Sequence, residues 1–202
     1  ATWGKSATWS PAAVESTAAR LTTHRLAAGE GWRIEHVCCR LGPDAPAATE
    51  WHDRHSVSLV LDGLFQYEGE RGAALLAPGA LLLGNAGAAY RCSHPHGSGD
   101  RCVSCQFDAQ LLAEIGATRS GPPFRRTRIA PHADTLVLHC EARELSAGAD
   151  PAFAEELALE FLTRALERQT GAADPPLPAR TRAAVARTVR RISQEPAAPH
   201  CL

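Results

Sequence analysis

Short apolar or alternating runs, interrupted by glycine and proline at regular intervals, occupy the chain from about residue 21 to residue 107. A period of two residues is typical of strands, and many short strands with closely spaced turns are typical of a sandwich or barrel. We therefore predict a mainly β unit. Its strands are expected at about 20–26, 32–40, 57–61, 64–67, 73–76, 80–83, 88–92 and 101–107.

After Asp108 the apolar residues recur every three or four positions, which is the period of an amphipathic helix. The pattern predicts a short helix at 108–115 and a longer one at 132–145, with a last strand near 126–129 between them. The side chains expected to face inward from the longer helix are those of Leu136, Cys140 and Leu145.

A third helix is predicted at 150–167, where Asp150 suits the N-cap and Pro151 suits the first helical position. Its apolar positions are Phe153, Leu157, Phe161, Leu162, Ala165 and Leu166. A stripe this continuous favours packing on the helix's own domain, and a subunit interface is the alternative.

A turn or linker at 171–178 contains three prolines, which prevent the helix from continuing. Between Arg180 and Arg191 the sequence then carries five arginines and no acidic residue. The apolar side of a helix here would consist of Val185, Val189 and Ile192. Because such a helix is too short to bury a core alone, we expect it either to dock on the preceding domain or to begin another one.

Composition narrows the class of protein. The 202 residues are 45% hydrophobic and carry a net charge of −1, which argues against binding nucleic acid through bulk positive potential. No run approaches the roughly 18 apolar residues of a membrane-spanning helix. The chain does not begin like a signal peptide, so we expect a cytoplasmic location, in which its seven cysteines are reduced, metal-bound or redox-active.

One segment, 90–107, is rich in residues that bind metal ions. Its Gly-Ser-Gly sequence can close a hairpin, which would place His94 opposite Cys102 and His96 opposite Asp100. The residues that would then share one face are Cys92, His94, His96, Asp100 and Cys102.

Two thiolates and two imidazoles on one surface match the ligands of tetrahedral zinc, although the spacing C-x-H-x-H-x5-C is not that of a standard zinc finger. Two other interpretations stay open. The residues pack and hydrogen-bond without a metal, or the thiols sense redox state with the help of nearby arginines. The cysteines for which packing is the favoured role are Cys38, Cys39, Cys105 and Cys140.

Glu50 and His52 form a second candidate site, because they share one face of an extended chain while His55 points the other way. An ordinary surface loop is the alternative for this segment. The chain contains no G-x-S-x-G elbow and no glycine-rich phosphate loop ahead of a helix, so little in it indicates an enzyme.

Three stretches carry a resemblance to a known family. They are His52…Ser56-Val-Ser-Leu-Val-Leu-Asp-Gly63-Leu-Phe-Gln-Tyr67, Leu75-Leu-Ala-Pro78-Gly79-Ala-Leu-Leu-Leu-Gly-Asn, and Cys92-Ser-His-Pro-His96…Gly99-Asp-Arg-Cys102. Together they resemble the N-terminal cupin-type domain of AraC-type transcriptional regulators, over about residues 20–169. The end of the chain, 182–202, resembles the first helix of that family's helix-turn-helix domain.

The resemblance implies a cupin-like β-barrel (jelly roll) that binds an effector, followed by C-terminal helices that pair two subunits. DNA would be contacted only through recognition helices that this chain lacks. The expected segments are a loose N-terminal segment (1–19), a sensory barrel (20–130), a helical dimerisation region (131–170), a linker (171–179) and the first helix of a truncated helix-turn-helix domain (180–202).

The resemblance also implies site residues. Metal-binding cupins have His-x-His where this chain has Glu50-x-His52, and Tyr90 stands about where a second histidine is expected. An effector site is therefore expected at Glu50, His52 and Tyr90, beside a variant metal site suited to zinc. The residues expected to bind that metal are His52, Cys92, His94, His96 and Cys102.

Taken together, these features predict the effector-sensing and dimerisation domain of a bacterial AraC-type regulator. We expect it to bind a small molecule or a metal ion, to form a homodimer, to have no contact with membranes and to catalyse no reaction. The alternative is a stand-alone metal-dependent cupin enzyme, an oxygenase or an isomerase.

Overall fold

Alternating apolar residues and glycine turns fold into two antiparallel sheets in the computed structural model, which describes residues 21–94, 99–118, 121–169 and 178–195. The strands are β1 (Leu21–Gly29), β2 (Trp32–Cys39), β3 (Thr49–Trp51), β4 (His55–Gly63), β5 (Phe65–Gly69), β6 (Gly72–Leu76), β7 (Leu81–Gly84), β8 (Ala89–Ser93), β9 (Asp100–Phe107) and β10 (Arg128–Ile129). The large sheet has the order β1-β2-β9-β4-β7-β10, and the small sheet has the order β3-β8-β5-β6.

Helices follow the barrel strands, as predicted. They are α1 (Ala109–Glu114), α2 (Ala133–Ser146), α3 (Ala154–Glu167) and α4 (Ala179–Gln194). The Asp150 carboxylate accepts a hydrogen bond from the Ala152 N–H, but the turn it caps, Pro151–Phe153, is a 3-10 helix, and α3 begins after it. The predicted fold class is confirmed as a mainly β unit of two antiparallel sheets followed by C-terminal helices.

The two faces of the large sheet bury different side chains. On β4, Val57, Leu59 and Leu61 belong to the hydrophobic cluster shared with α2 and α3. Val60, on the opposite face, packs with residues of the small sheet such as Phe65. The large sheet is therefore a wall between the helices and the barrel interior, and its strand β4 is buried along almost its whole length.

The predicted hairpin between residues 90 and 107 is wrong. β8 pairs with β3 and β5 in the small sheet, whereas β9 pairs with β2 and β4 in the large sheet. The chain therefore crosses from one sheet to the other between these strands. Gly99, with φ of +84°, allows the crossing, because a Cβ there would lie 2.0 Å from the carbonyl oxygen of Cys39.

The inward face predicted for α2 is correct only at Leu145, and the prediction for Leu136 and Cys140 is wrong. Both of these side chains are exposed. The buried residues of the helix are Thr135, Leu138, Ala142 and Leu145. The Thr135 hydroxyl lies 2.8 Å from the carbonyl oxygen of His132 and 3.2 Å from that of Gly79, and it accepts from the His132 N–H, so Thr135 faces the sheet. Residues three and seven positions later then follow it inward.

Helix α3 packs on its own domain, as its apolar stripe predicts, through buried residues such as Leu157 and Phe161. In the arginine-rich helix α4, Val185 packs against Leu64 and Leu75 of the barrel. Among the described residues, no helix combines the length and the apolar character that a membrane crossing requires.

Candidate functional site

A cavity of about 320 Å³ lies inside the barrel and is lined by both sheets. Its volume falls near the lower end of the range for small-molecule sites, roughly 300–1,000 Å³. The residues of the large sheet that line it are mostly polar, namely Arg33, Glu35, Ser56, Ser58, Ser104 and Gln106. Lining residues from β3, β8 and the loop after β3 include Glu50, His52, Tyr90 and Cys92.

Of the three residues predicted to bind an effector, Tyr90 contacts the other two. The register of β3 and β8 sets Glu50 opposite Tyr90, and the Tyr90 hydroxyl donates to Glu50 Oε2 at 2.9 Å. The His52 ring stacks on Tyr90 with centroids 4.3 Å apart. Its Nε2 lies 2.9 Å from the hydroxyl of Tyr67, a residue that the sequence did not mark as functional.

The His52 ring is tightly packed between Ser56 and Gly84. Ser56 Oγ lies 3.5 Å from its Nδ1, and a Cβ on Gly84 would come within 2.3 Å of the ring. Burial lowers the pKa of His52 to about 4 despite the nearby Asp53 carboxylate, so the imidazole is neutral near pH 7. Burial also raises the pKa values of Tyr67 and Tyr90, which keeps both phenols protonated. The cluster therefore offers neutral donors and acceptors together with the Glu50 oxygens.

A row of paired polar side chains forms the opposite wall of the cavity. Ser58 Oγ donates to Ser104 Oγ at 2.8 Å across β4 and β9. Gln106 links Arg33 to Glu35, because it accepts from Arg33 Nε at 2.9 Å and donates to Glu35 Oε2 at 2.8 Å. A polar row inside a barrel is suited to a polar ligand, since a purely structural core would be apolar.

The sequence reasoning missed this polar row, although a signal for it was present. Ser56 and Ser58 alternate with Val57 and Leu59, which reads as an ordinary strand with one face in solvent. Both faces of the strand are buried, so its polar positions lie in the interior. The helices predicted after residue 108 indicate this burial, because they have to cover one face of the sheet.

At the end of β8, His94 forms a buried ion pair with Asp100. His94 Nε2 lies 2.6 Å from Asp100 Oδ1, and Cys102 Sγ donates to Asp100 Oδ2 at 3.3 Å. Burial alone would lower the pKa of His94, but its hydrogen bond to Asp100 and its contact with Cys39 outweigh this and raise it to about 9. Ligand atoms of Cys39, His94 and Asp100 all lie within 4.8 Å of one another, so these three residues could hold a metal ion.

The structure places the five predicted metal ligands in different ways. His94 belongs to the group with Cys39 and Asp100, and Cys102 is attached to it through Asp100. His52 and Cys92 line the same cavity, but neither belongs to that group of three. His96 lies outside the described residues. Because the hairpin does not form, His94 meets Asp100 and is not placed opposite Cys102 by strand pairing.

Cys39 was predicted to pack, and the structure brings it to this group. β2 and β9 pair so that Cys39 stands directly opposite Asp100. Adjacent residues of a strand face opposite sides, so only one of Cys38 and Cys39 can reach the barrel interior. Cys39 lines the cavity and is buried, whereas Cys38 is partly exposed.

The thiols of Cys92 and Cys102 are held in the protonated form. Burial, followed by the nearby Asp100 carboxylate, raises both pKa values well above the usual range. A redox-sensing thiol needs the opposite shift, because the thiolate is the reactive species. These environments weigh against the redox interpretation of the cysteine cluster.

No family model and no curated protein matches the chain. Among solved structures, it is similar to a cupin superfamily protein of Desulfitobacterium hafniense, with 13% identity over 44% of this chain and 77% of that one, and a TM-score of 0.36. An RmlC-like cupin of Shewanella frigidimarina is 16% identical over 45% and 78%, with a TM-score of 0.38. The cupin domain of Schizosaccharomyces pombe Cnp3 is 14% identical over 48% and 72%, with a TM-score of 0.39.

Proposed function

We propose that this chain is the effector-sensing and dimerisation part of a bacterial AraC-type transcription regulator. One observation carries the proposal: a single sheet forms the polar wall of an internal cavity on one face and the packing surface for two helices on the other. A ligand in such a cavity acts on the helices through the strands that lie between them.

The effector we propose is a small molecule with several polar groups. It meets neutral donors and acceptors at His52 and Tyr90, the Glu50 carboxyl group, and hydroxyls at Ser58 and Ser104. The stacked rings of His52 and Tyr90 present an aromatic surface beside these polar groups. Polar groups that converge on one cavity fix the orientation of a ligand and give specificity.

The signal would travel through β4 and β9. Ser58 and Ser104 face the cavity, while Leu59 and Val103, the residues beside them, pack on the helix side of the same strands. An effector that binds one position of these strands better than another shifts the population toward that position. Helices α2 and α3 would then move relative to the barrel.

The helices also carry the surface that we propose for dimerisation. On α2, Leu136 is 63% exposed and Val137 is 61% exposed, and Cys140 is exposed one turn later. Neighbouring apolar side chains in solvent are typical of an interaction surface, and the proposed occupant is a second copy of this chain.

Dimerisation is tested by light scattering after size-exclusion chromatography. We expect a dimer for the purified chain and a monomer for the double variant Leu136→Glu, Val137→Glu. The matched control is Ile115→Glu, because Ile115 is also an exposed apolar residue, at 52%, but lies beyond α1. A wild-type monomer at high concentration, or a dimer that survives the double variant, would contradict this part of the proposal.

Regulation is tested in the organism that encodes the gene. Deletion of the gene should change the transcript level of a small set of genes, and the intact gene should restore it. Ser58→Leu, which fills the cavity, should fail to restore regulation although the protein accumulates normally. Thr22→Leu, on the exposed edge strand β1, is the control and should restore it. An unchanged transcriptome, or turnover of a substrate by the purified chain, would favour the enzyme alternative.

A further inference from the structure

Four residues from three elements meet at one end of the barrel. Cys39 ends β2, His94 follows β8, and Asp100 and Cys102 lie at the start of β9. Ligand atoms of the first three lie within 4.8 Å of one another, and Cys102 Sγ lies 3.3 Å from the second carboxylate oxygen of Asp100. The group is enclosed, since His94 is 3% exposed, Cys39 is 9% exposed and Cys102 is 5% exposed.

The backbone around this group leaves no room for additional side chains. A Cβ on Gly99 would lie 2.0 Å from the carbonyl oxygen of Cys39, and a Cβ on Gly63 would lie 2.4 Å from the carbonyl oxygen of Gly99. Both glycines also have positive φ values, of +84° and +88°. Two successive close approaches fix Cys39 and Asp100 in position, and such support keeps the ligands of a site in a defined arrangement.

We propose that Cys39, His94, Asp100 and Cys102 bind a divalent transition-metal ion of the zinc class. Thiolate, imidazole and carboxylate are the three ligand types of protein zinc sites. With metal–ligand distances of about 2.0–2.3 Å, the ligand atoms of a tetrahedral site lie roughly 3.3–3.8 Å apart. Binding needs a small opening between His94 and Asp100, whose bonded atoms are 2.6 Å apart. It also needs a movement of Cys102, which now reaches the group of three only through Asp100 Oδ2.

An ion pair between His94 and Asp100 explains less of this arrangement than a metal site does. His94 and Asp100 would satisfy each other with no help from sulfur, and a buried ion pair alone contributes little to stability. Neither thiol is needed for that pair, yet Cys39 and Cys102 both lie beside it. A metal ion would bind all four side chains at once, beyond the contacts that Cys39 and Cys102 already make with the pair. The site is independent of the proposed regulatory function, and it uses neither His52 nor His96.

Cobalt(II) is the probe for this site, because it occupies zinc sites and absorbs light. Added to the reduced, metal-stripped chain, it should produce one equivalent of tetrahedral visible absorption and a thiolate-to-cobalt band in the near ultraviolet. X-ray absorption of the wild-type zinc complex should show two sulfur and two lighter ligands. This second measurement needs no variant, so it does not depend on whether the variants fold.

Variants then assign the ligands. Cys39→Ser and Cys102→Ser should each remove about half of the thiolate-to-cobalt band, and His94→Asn should weaken cobalt binding by more than about tenfold. The matched control is Cys105→Ser, a buried thiol on the other face of β9, which should leave the spectrum unchanged.

Several results would overturn the proposal. A zinc complex without sulfur ligands would exclude the site, as would the absence of stoichiometric cobalt binding. A thiolate band that is lost in Cys92→Ser but kept in Cys39→Ser would show that the ligand set is wrong. None of these results bears on the transcriptional test, so failure of the metal site and failure of the regulatory proposal are distinguishable.

Discussion

His52 and Tyr90 lie stacked inside the barrel, with ring planes inclined by 27° and centroids 4.3 Å apart. Each ring has a further polar partner, Tyr67 for His52 and Glu50 for Tyr90. The four side chains therefore form one connected network from β3 to β5. A ligand that displaces one member changes the hydrogen bonds of the others.

Removing the Tyr90 hydroxyl tests whether this network contributes to stability. In Tyr90→Phe the ring stays but Glu50 loses its donor, so we expect the free energy of unfolding to fall by about 1–2 kcal/mol. Urea unfolding followed by circular dichroism at pH 7 measures this change. Glu50→Gln keeps an acceptor for the hydroxyl and should cost less. Equal stability of Tyr90→Phe and the wild type would show that the bond contributes nothing.

The buried His52 predicts a loss of stability in mild acid. Its pKa is lowered by burial from 6.5 to about 4, so between these values the unfolded chain binds more protons than the folded chain. The contribution of His52 to stability should therefore be complete above pH 6.5 and fall toward pH 4, with a slope of at most about 1.4 kcal/mol per pH unit. His94 acts in the opposite sense, because its pKa is raised to about 9 and its contribution is lost as the pH rises from 6.5 through 9.

Two measurements check the acid prediction. Urea unfolding at several pH values should give a shallower dependence for His52→Gln than for the wild type. Some dependence should remain, because burial also lowers the pKa of His55. In nuclear magnetic resonance spectra, the His52 ring should stay neutral down to about pH 4. A titration of this ring near pH 6.5 would refute the prediction.

Most of the strands and helices could be predicted from local patterns. The errors arose where contacts between distant parts of the chain determine which strands pair. β8 and β9 read as a hairpin, since sequence neighbours joined by Gly-Ser-Gly usually pair. Pairing of β9 with β2 and β4 overrides this, and the Gly99 backbone lies against the carbonyl of Cys39. That approach involves residues sixty positions apart, so no local pattern contains it.

Some residues of the candidate site could likewise be predicted from the sequence, and others could not. The family resemblance predicts an effector site at Glu50, His52 and Tyr90, and in the structure Tyr90 contacts both of the other residues. Tyr67 was not found, because a tyrosine on a strand carries no signal of its own. Cys39 was taken for packing because its partner Asp100 is identified only by the register of β2 and β9.

A substitution at Gly84 tests how tightly the His52 ring is packed. Because a Cβ on this residue would come within 2.3 Å of the imidazole, Gly84→Ala should displace the ring from Tyr90 and Tyr67. We expect a loss of about 1–3 kcal/mol, typical of overpacking, and a shifted His52 resonance. Gly42→Ala is the control, since a Cβ there meets nothing within 4 Å. Similar effects of the two substitutions would contradict the tight packing of the His52 ring against Gly84.

Two leucines of α2, Leu136 and Leu138, are two residues apart and have opposite environments. Leu138 is 1% exposed and packs in the cluster shared with the large sheet, so Leu138→Ala should cost about 2–4 kcal/mol. Leu136 lies in solvent, so Leu136→Ala should cost less than about 0.5 kcal/mol. Both are measured by urea unfolding at concentrations where the chain is monomeric.

The same pair of variants separates folding from association. If Leu136 lies in a dimer interface, Leu136→Ala should weaken the dimer in sedimentation equilibrium while the monomer stays stable. Leu138→Ala should reduce the stability of the monomer, because its side chain contacts the subunit's own core. A larger loss of monomer stability in Leu136→Ala than in Leu138→Ala would mean that α2 faces the sheet as its hydrophobic spacing first suggested, with Thr135 turned away from Gly79.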